Sequence, residues 1–143
     1  MSGIRLTSEE LNLLMLFENV TKTVAKDCII DNKEGRIIFV VKPEDIGQAI
    51  GKRGANIKKI REQLGRPIDI VELSDTPEKF IENALSPARV ESINIVKTKE
   101  KLIAFVKVSA EDRGIAIGKN GKNVARARML AKRHFGIDDV VIN

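Results

Sequence analysis

The sequence predicts an α+β fold of two similar tandem domains, each a small three-stranded mixed sheet packed with helices. The first observation behind this is a stretch that occurs twice. Ile50-Gly51-Lys52-Arg53-Gly54 returns sixty-seven positions later as Ile117-Gly118-Lys119-Asn120-Gly121. The second is that the flanks return with it. Glu44, Asp45, Gly47, Ala49 and Asn56 are matched by Glu111, Asp112, Gly114, Ala116 and Asn123. A shared register of that length marks an internal duplication, and two copies are too few for a solenoid. The third is that the same order of helix-like and strand-like segments surrounds both copies. Halving 143 residues gives units of roughly 70, near the lower limit for a self-sufficient core. Ser74-Asp75-Thr76-Pro77 has the composition of a boundary, which gives domains over 1–74 and 75–143.

In the first unit, Thr7-Ser8-Glu9-Glu10 has capping-box spacing. Leu13, Leu16, Phe17, Val20 and Val24 follow at helical period, so the spacing predicts a helix over 8–25. The apolar run Cys28-Ile29-Ile30 predicts a strand, and Asp31 to Gly35 supplies turn chemistry. Arg36 to Lys42, rich in β-branched residues, predicts a second strand. Pro43 suits the first turn of a short helix over 44–50, because its missing N–H is no loss there. After the glycine loop, Ile57, Ile60 and Leu64 share one helical face, Gly65 stops the helix, and Ile68 to Leu73 closes the sheet.

The second unit repeats this order. Pro77 opens a short helix through Ala84, and Ser86-Pro87 ends it. Strands are expected over 90–97 and 102–108, on either side of a Lys99-Glu100 turn. Ser109 and Asp112 are placed to cap a short helix ending at Ile117. A longer helix then carries Val124, Ala127, Ala131 and Phe135 inward, Gly136 ends it, and Val140 to Ile142 closes the second sheet.

Composition narrows the function classes. A hydrophobic fraction of 43% with 31% charged residues is ordinary for a globular protein. No apolar run approaches the roughly 20 residues needed to span a bilayer, and the N-terminus lacks a secretory pattern. The single cysteine, Cys28, cannot form an internal disulfide and reads as a buried thiol in a reducing cytoplasm. No cofactor or metal is expected. Net charge is +5, and its distribution matters more than its size. Residues 51–66 carry +5 and residues 118–134 carry +6, so everything else is net −6. Positive charge gathered at both glycine loops marks an electrostatic footprint for a polyanion.

The loops themselves have the right chemistry. Glycines let the backbone turn tightly and approach a ligand closely, and the next helix presents amides without intrahelical acceptors, which favour phosphate. Three of the four middle positions are Lys or Arg. Rival readings fare worse. Gly114-Ile115-Ala116-Ile117-Gly118-Lys119 is one residue short of a P-loop, with Asn120 where a Ser or Thr should hold magnesium, so an enzyme is not expected. His134 reads as a packing or surface residue. The acid pairs Glu44-Asp45 and Glu111-Asp112 fall in first helical turns, where capping explains them. Neither loop-flanking helix carries the side chains of a double-stranded DNA reader.

With those segments in place, both loops and their surroundings resemble KH domains. The extra helix and strand before each core resemble the type II arrangement. Asn83-Ala84-Leu85-Ser86-Pro87-Ala88 is similar to the connection in the NusA family of transcription elongation, termination and antitermination factors. Larger family members add an N-terminal polymerase-binding domain and an OB-fold module. A chain of this length resembles the short, two-KH archaeal form.

The resemblance implies single-stranded RNA as partner, with each loop holding roughly four backbone nucleotides. Carried over residue by residue, Gly51, Lys52, Arg53 and Gly54 form one clamp, and Gly118, Lys119, Asn120 and Gly121 the other. Lys58, Lys59, Lys122 and Arg126 would add flanking phosphate contacts, and Ile50, Ile57, Ile117 and Val124 an apolar groove for bases. A monomeric cytoplasmic protein is expected. RNA polymerase or ribosomal components are further candidate partners, and a basic protein-interaction module or a ribosomal RNA-associated KH protein is the alternative. Without Trp or Tyr and with only five Phe, the chain lacks the side chains for stacking bases on an aromatic platform, and a reader that uses backbone amides and an aliphatic groove does not need them.

Overall fold

The structure, a computed structural model, describes residues 5–143. The chain divides into two compact units, one formed by Arg5–Leu73 and the other containing Ser74–Asn143. Each is α+β, as the sequence predicts.

The first unit opens with helix α1 (Ser8–Thr21). The Thr7 hydroxyl accepts from the Glu10 amide at 3.1 Å, and the Glu10 carboxylate accepts from the Thr7 amide at 2.8 Å, a complete capping box. The helix ends four residues earlier than its periodicity predicts. Lys22 turns left-handed (φ 60°), and the Thr21 hydroxyl donates back to the Phe17 carbonyl at 2.8 Å. Val24 therefore lies beyond the helix and is 52% exposed.

Strands β1 (Asp27–Asp31) and β2 (Arg36–Val41) pair antiparallel, and β3 (Ile68–Glu72) pairs parallel to β2. Alternation along β2 directs Ile37, Phe39 and Val41 into a core with Leu13, Phe17, Cys28, Ala49 and Ile60. The Phe17 and Phe39 rings lie 4.4 Å apart at its centre. At the hairpin end, Arg36 is buried. Its Nε donates to Asp31 at 2.8 Å, and Nη1 donates to Asp69 at 3.2 Å. Sequence reading placed Asp31 in the turn; it is instead the last, buried residue of β1.

The second unit repeats the topology. Helix α4 (Pro77–Ala84) precedes β4 (Val90–Lys97) and β5 (Leu102–Val108), which pair antiparallel, and β6 (Asp139–Ile142) pairs parallel to β5. The Phe80 ring meets His134 at 5.0 Å and Phe135 at 5.8 Å, so the only histidine packs within this unit. No helix among the described residues is long and apolar enough to cross a membrane.

Asp138 ties this unit together just before β6. One carboxylate oxygen accepts from Lys132 Nζ at 2.6 Å, and the other from the Leu102 amide at 2.8 Å. The Lys132 hydrogen bond first, and the Leu102 amide second, hold its carboxyl below the ordinary value of 3.8. A depressed folded pKa means that the unfolded carboxyl protonates first as pH falls. The stabilisation is whole above the unfolded value and is lost as pH falls through the folded one. Asp138→Asn should therefore be less stable than the parent at pH 7, with the difference closing in acid below that range. Thermal melts across pH check this.

Candidate nucleic-acid interface

Because β2 and β3 are parallel, the chain must cross back between them. Two helices make that crossing, α2 (Ile46–Ile50) and α3 (Ala55–Leu64), and the first glycine loop is their corner. In the second unit the pair is α5 (Arg113–Ile117) and α6 (Lys122–Phe135). A 3₁₀ turn over Pro43–Asp45 precedes α2, with Pro43 in its first turn.

Gly51 sits at φ 81°, ψ 166°, a region nearly closed to any residue with a Cβ. A Cβ there would lie 2.8 Å from the Asn56 amide nitrogen and 2.9 Å from Asn56 Cγ. Lys52–Gly54 then forms one 3₁₀ turn, with Arg53 at φ 56°, ψ 29° and Gly54 at φ 73°, ψ 20°. The second loop follows the same path. Gly118 is at φ 78°, ψ 168°, Asn120 at φ 58°, ψ 23°, and Gly121 at φ 74°, ψ 17°.

Asn56 and Asn123 brace these corners. Asn56 Nδ2 donates to the Gln48 carbonyl and Asn123 Nδ2 to the Ile115 carbonyl, each at 2.8 Å. Both asparagines belong to the repeated register, but sequence reading gave them no role. Gly51→Ala or Gly118→Ala drives a Cβ into the bracing residue and strains the backbone. We expect a loss of about 1–3 kcal/mol in that unit's stability, measured by urea unfolding. Gly54→Ala is the milder control, since its Cβ would meet Ile57 Cγ2 at 3.5 Å.

Each turn closes with a glycine amide bonded three residues back, Gly54 to Gly51 and Gly121 to Gly118, both at 3.0 Å. The two amides before each bond have no acceptor within the turn. Lys52, Arg53, Lys119 and Asn120 are exposed around them. Lys58, Lys59 and Lys122, on the helices that follow, are exposed as well. The arrangement offers an anion amides and cationic side chains together.

Three expectations need correction. Arg126 is buried, and its guanidinium donates to the carbonyls of Ala84 at 2.9 Å and Ser86 at 3.3 Å. It fastens α4 and the following turn to α6 rather than reaching toward a phosphate. Val124 is 5% exposed, as its inward place on the helix predicts, and so does not join the apolar groove, whereas Ile50 is 38% exposed and Ile57 and Ile117 are half-buried beside the loops. The acids also do less capping than their positions promise. Asp45 and Asp112 occupy N-cap positions without a side-chain cap bond, and Asp112 accepts instead from the Arg89 amide at 2.7 Å.

Comparison with known proteins places this geometry. Residues 14–75 match the KH domain family, and residues 77–141 match the NusA-like second KH domain. A probable transcription termination protein NusA from Halobacterium salinarum is 40% identical, over 96% of this chain and 96% of that protein. The chain belongs to the NusA family. Its two sheets are those of tandem KH domains, and each matched KH segment holds one of the two loops. The Methanocaldococcus jannaschii relative, a probable transcription termination protein NusA, is 34% identical over 99% of this chain and 76% of its own length. A transcription termination/antitermination protein NusA from Thermus thermophilus is 42% identical over 70% of this chain, which spans 26% of that longer protein. The crystal structure of APE1850 superposes with a TM-score of 0.89 at 40% identity, covering 96% of this chain and 100% of that one.

Proposed function

We propose that this chain binds extended single-stranded RNA through both glycine loops and acts in transcription elongation, termination and antitermination. The observation that carries the reading is the agreement of the two loop backbones within a few degrees, each with outward amides and exposed cations. A corner needed only for folding has no use for Lys52, Arg53 and Lys119 at its tip. In this reading Gly51 to Gly54 and Gly118 to Gly121 seat consecutive phosphates, Lys58, Lys59 and Lys122 extend the track, and Ile50 lies where a base would rest. Two clamps on one chain favour long RNA over short, because the second contact is intramolecular. The chemistry is binding, with no reaction to catalyse. Membership of the NusA family supports a role in transcription, and RNA polymerase is the protein partner we infer from it.

Fluorescence anisotropy with labelled single-stranded RNA tests the reading. Three loop cations and three flanking lysines predict that log K falls with log salt at a slope between about −2 and −4. A flat salt response would remove the clamp from consideration and leave a protein-binding role for the basic faces.

A further inference from the structure

We propose that the sheet face opposite the helices in the second unit holds one nucleotide of single-stranded RNA, its base stacked on Phe105 and its phosphate against Lys107 and Arg113. This site lies apart from the glycine loop and rests on the reading of the chain as an RNA-binding protein. The argument begins with alternation along β5. Ala104 and Val106 are fully buried on one face, which puts Ile103, Phe105 and Lys107 on the other. The register sets Asn94 beside Phe105, and Ser92 beside Lys107, across the β4 pair. A bulge between Val90 and Ser92 interrupts that pairing, a device that re-aims strand side chains. The result is a concavity of about 450 Å³ lined by Ser92, Asn94, Phe105, Lys107, Arg113 and Asn143, among others.

The composition of that hollow is specific. An aromatic ring forms its apolar part, two amides and a hydroxyl can meet a base edge, and two cations can meet a phosphate. No acidic side chain lines it. Among the five phenylalanines, Phe17, Phe39 and Phe80 are fully buried, and Phe135 packs against Phe80. That leaves Phe105 as the ring available to a base from a sheet face. One ring cannot make an extended platform, but it suffices for one base. The duplication supplies the contrast. Sixty-seven positions earlier, Ile38 and Val40 stand where Phe105 and Lys107 do, and every residue of β2 is buried. The second copy of the sheet has exchanged buried apolar residues for a half-buried aromatic ring beside an exposed cation.

The test is a ¹H–¹⁵N titration of the full chain with adenosine 5′-monophosphate. It uses the parent protein, a variant with Lys52, Arg53, Lys119 and Asn120 all changed to Asp, and a Lys107→Glu, Arg113→Glu variant. The expected result is a set of amide shifts at Asn94, Phe105 and Lys107 that persists in the loop variant. The same shifts should need at least about fivefold more nucleotide in the Lys107→Glu, Arg113→Glu variant. Phe105→Ala should weaken binding of a long single-stranded RNA about tenfold; the glutamate pair, which keeps the ring, guards against misfolding as the cause. Absence of shifts on β4 and β5, or shifts indifferent to the glutamates, overturns the proposal. Nucleotide-induced shifts at the loops with a silent sheet face would overturn this site alone. Shifts at Phe105 alongside RNA binding that ignores the loop variant would overturn the clamp alone.

Discussion

Changing Lys52, Arg53, Lys119 and Asn120 together to Asp is expected to weaken single-stranded RNA binding by a hundredfold or more while both units stay folded. The size follows from the contacts removed. A charged hydrogen bond contributes about 1.5–3 kcal/mol, so losing three cationic contacts exceeds the roughly 2.7 kcal/mol that a hundredfold represents. Four new carboxylates facing phosphates push the loss further. The fold should tolerate the change because all four side chains are exposed and every loop glycine is kept. Aspartate is also among the residues that accept the left-handed backbone found at Arg53 and Asn120. Anisotropy with RNA, paired with far-UV circular dichroism, gives the answer. Equal binding by parent and variant, with unchanged ellipticity, would reduce the loops to corners of the fold.

The second large effect is expected at Arg36. Its side chain is 4% exposed, and the guanidinium bonds the 7%-exposed Asp31 and the more open Asp69. Arg36→Ala strands a buried carboxylate beside a second one, and breaking such a pair from one side costs about 3–5 kcal/mol. Against a total stability of about 4–10 kcal/mol for a unit of roughly 70 residues, the first unit should unfold at markedly lower urea. Removing the charge from both sides is different, because apolar replacements of a buried ion pair are often neutral. Arg36→Met with Asp31→Leu should therefore recover much of the loss, leaving Asp69 to solvent on its exposed side. A double variant as unstable as Arg36→Ala would show that the arginine acts through something other than its charge.

The strands, helices and loops were largely legible because they rest on local signals. Pro43, Pro77, Gly65 and Gly136 punctuate the chain where a backbone with those residues must stop or start, and the duplication repeats the evidence. What failed was whatever periodicity and position alone do not report. Val24 continued the α1 period by coincidence, since periodicity carries no information about Lys22 turning left-handed. Arg126 stood in a basic run like its neighbours, yet it bonds carbonyls some forty residues earlier in the chain. Asp112 looked like a helix cap and proved to hold the Arg89 amide. The Arg36 ion triad was unreadable for the same reason, because Asp69 arrives from another strand. In the candidate site, the loop glycines and cations were evident from spacing, whereas the bracing of Asn56 and Asn123 needed coordinates.

Arg53 and Asn120 occupy the same left-handed position, but they are not equally at ease there. Asparagine is one of the few side chains that visit this conformation readily, and arginine is not. The first loop thus retains a residue that its own backbone disfavours, while the second holds one that suits it. The two copies have settled the local choice between side-chain charge and backbone ease in opposite directions. In the proposed clamp, that difference would make the two tips unequal, Arg53 trading backbone ease for charge and Asn120 trading charge for backbone ease.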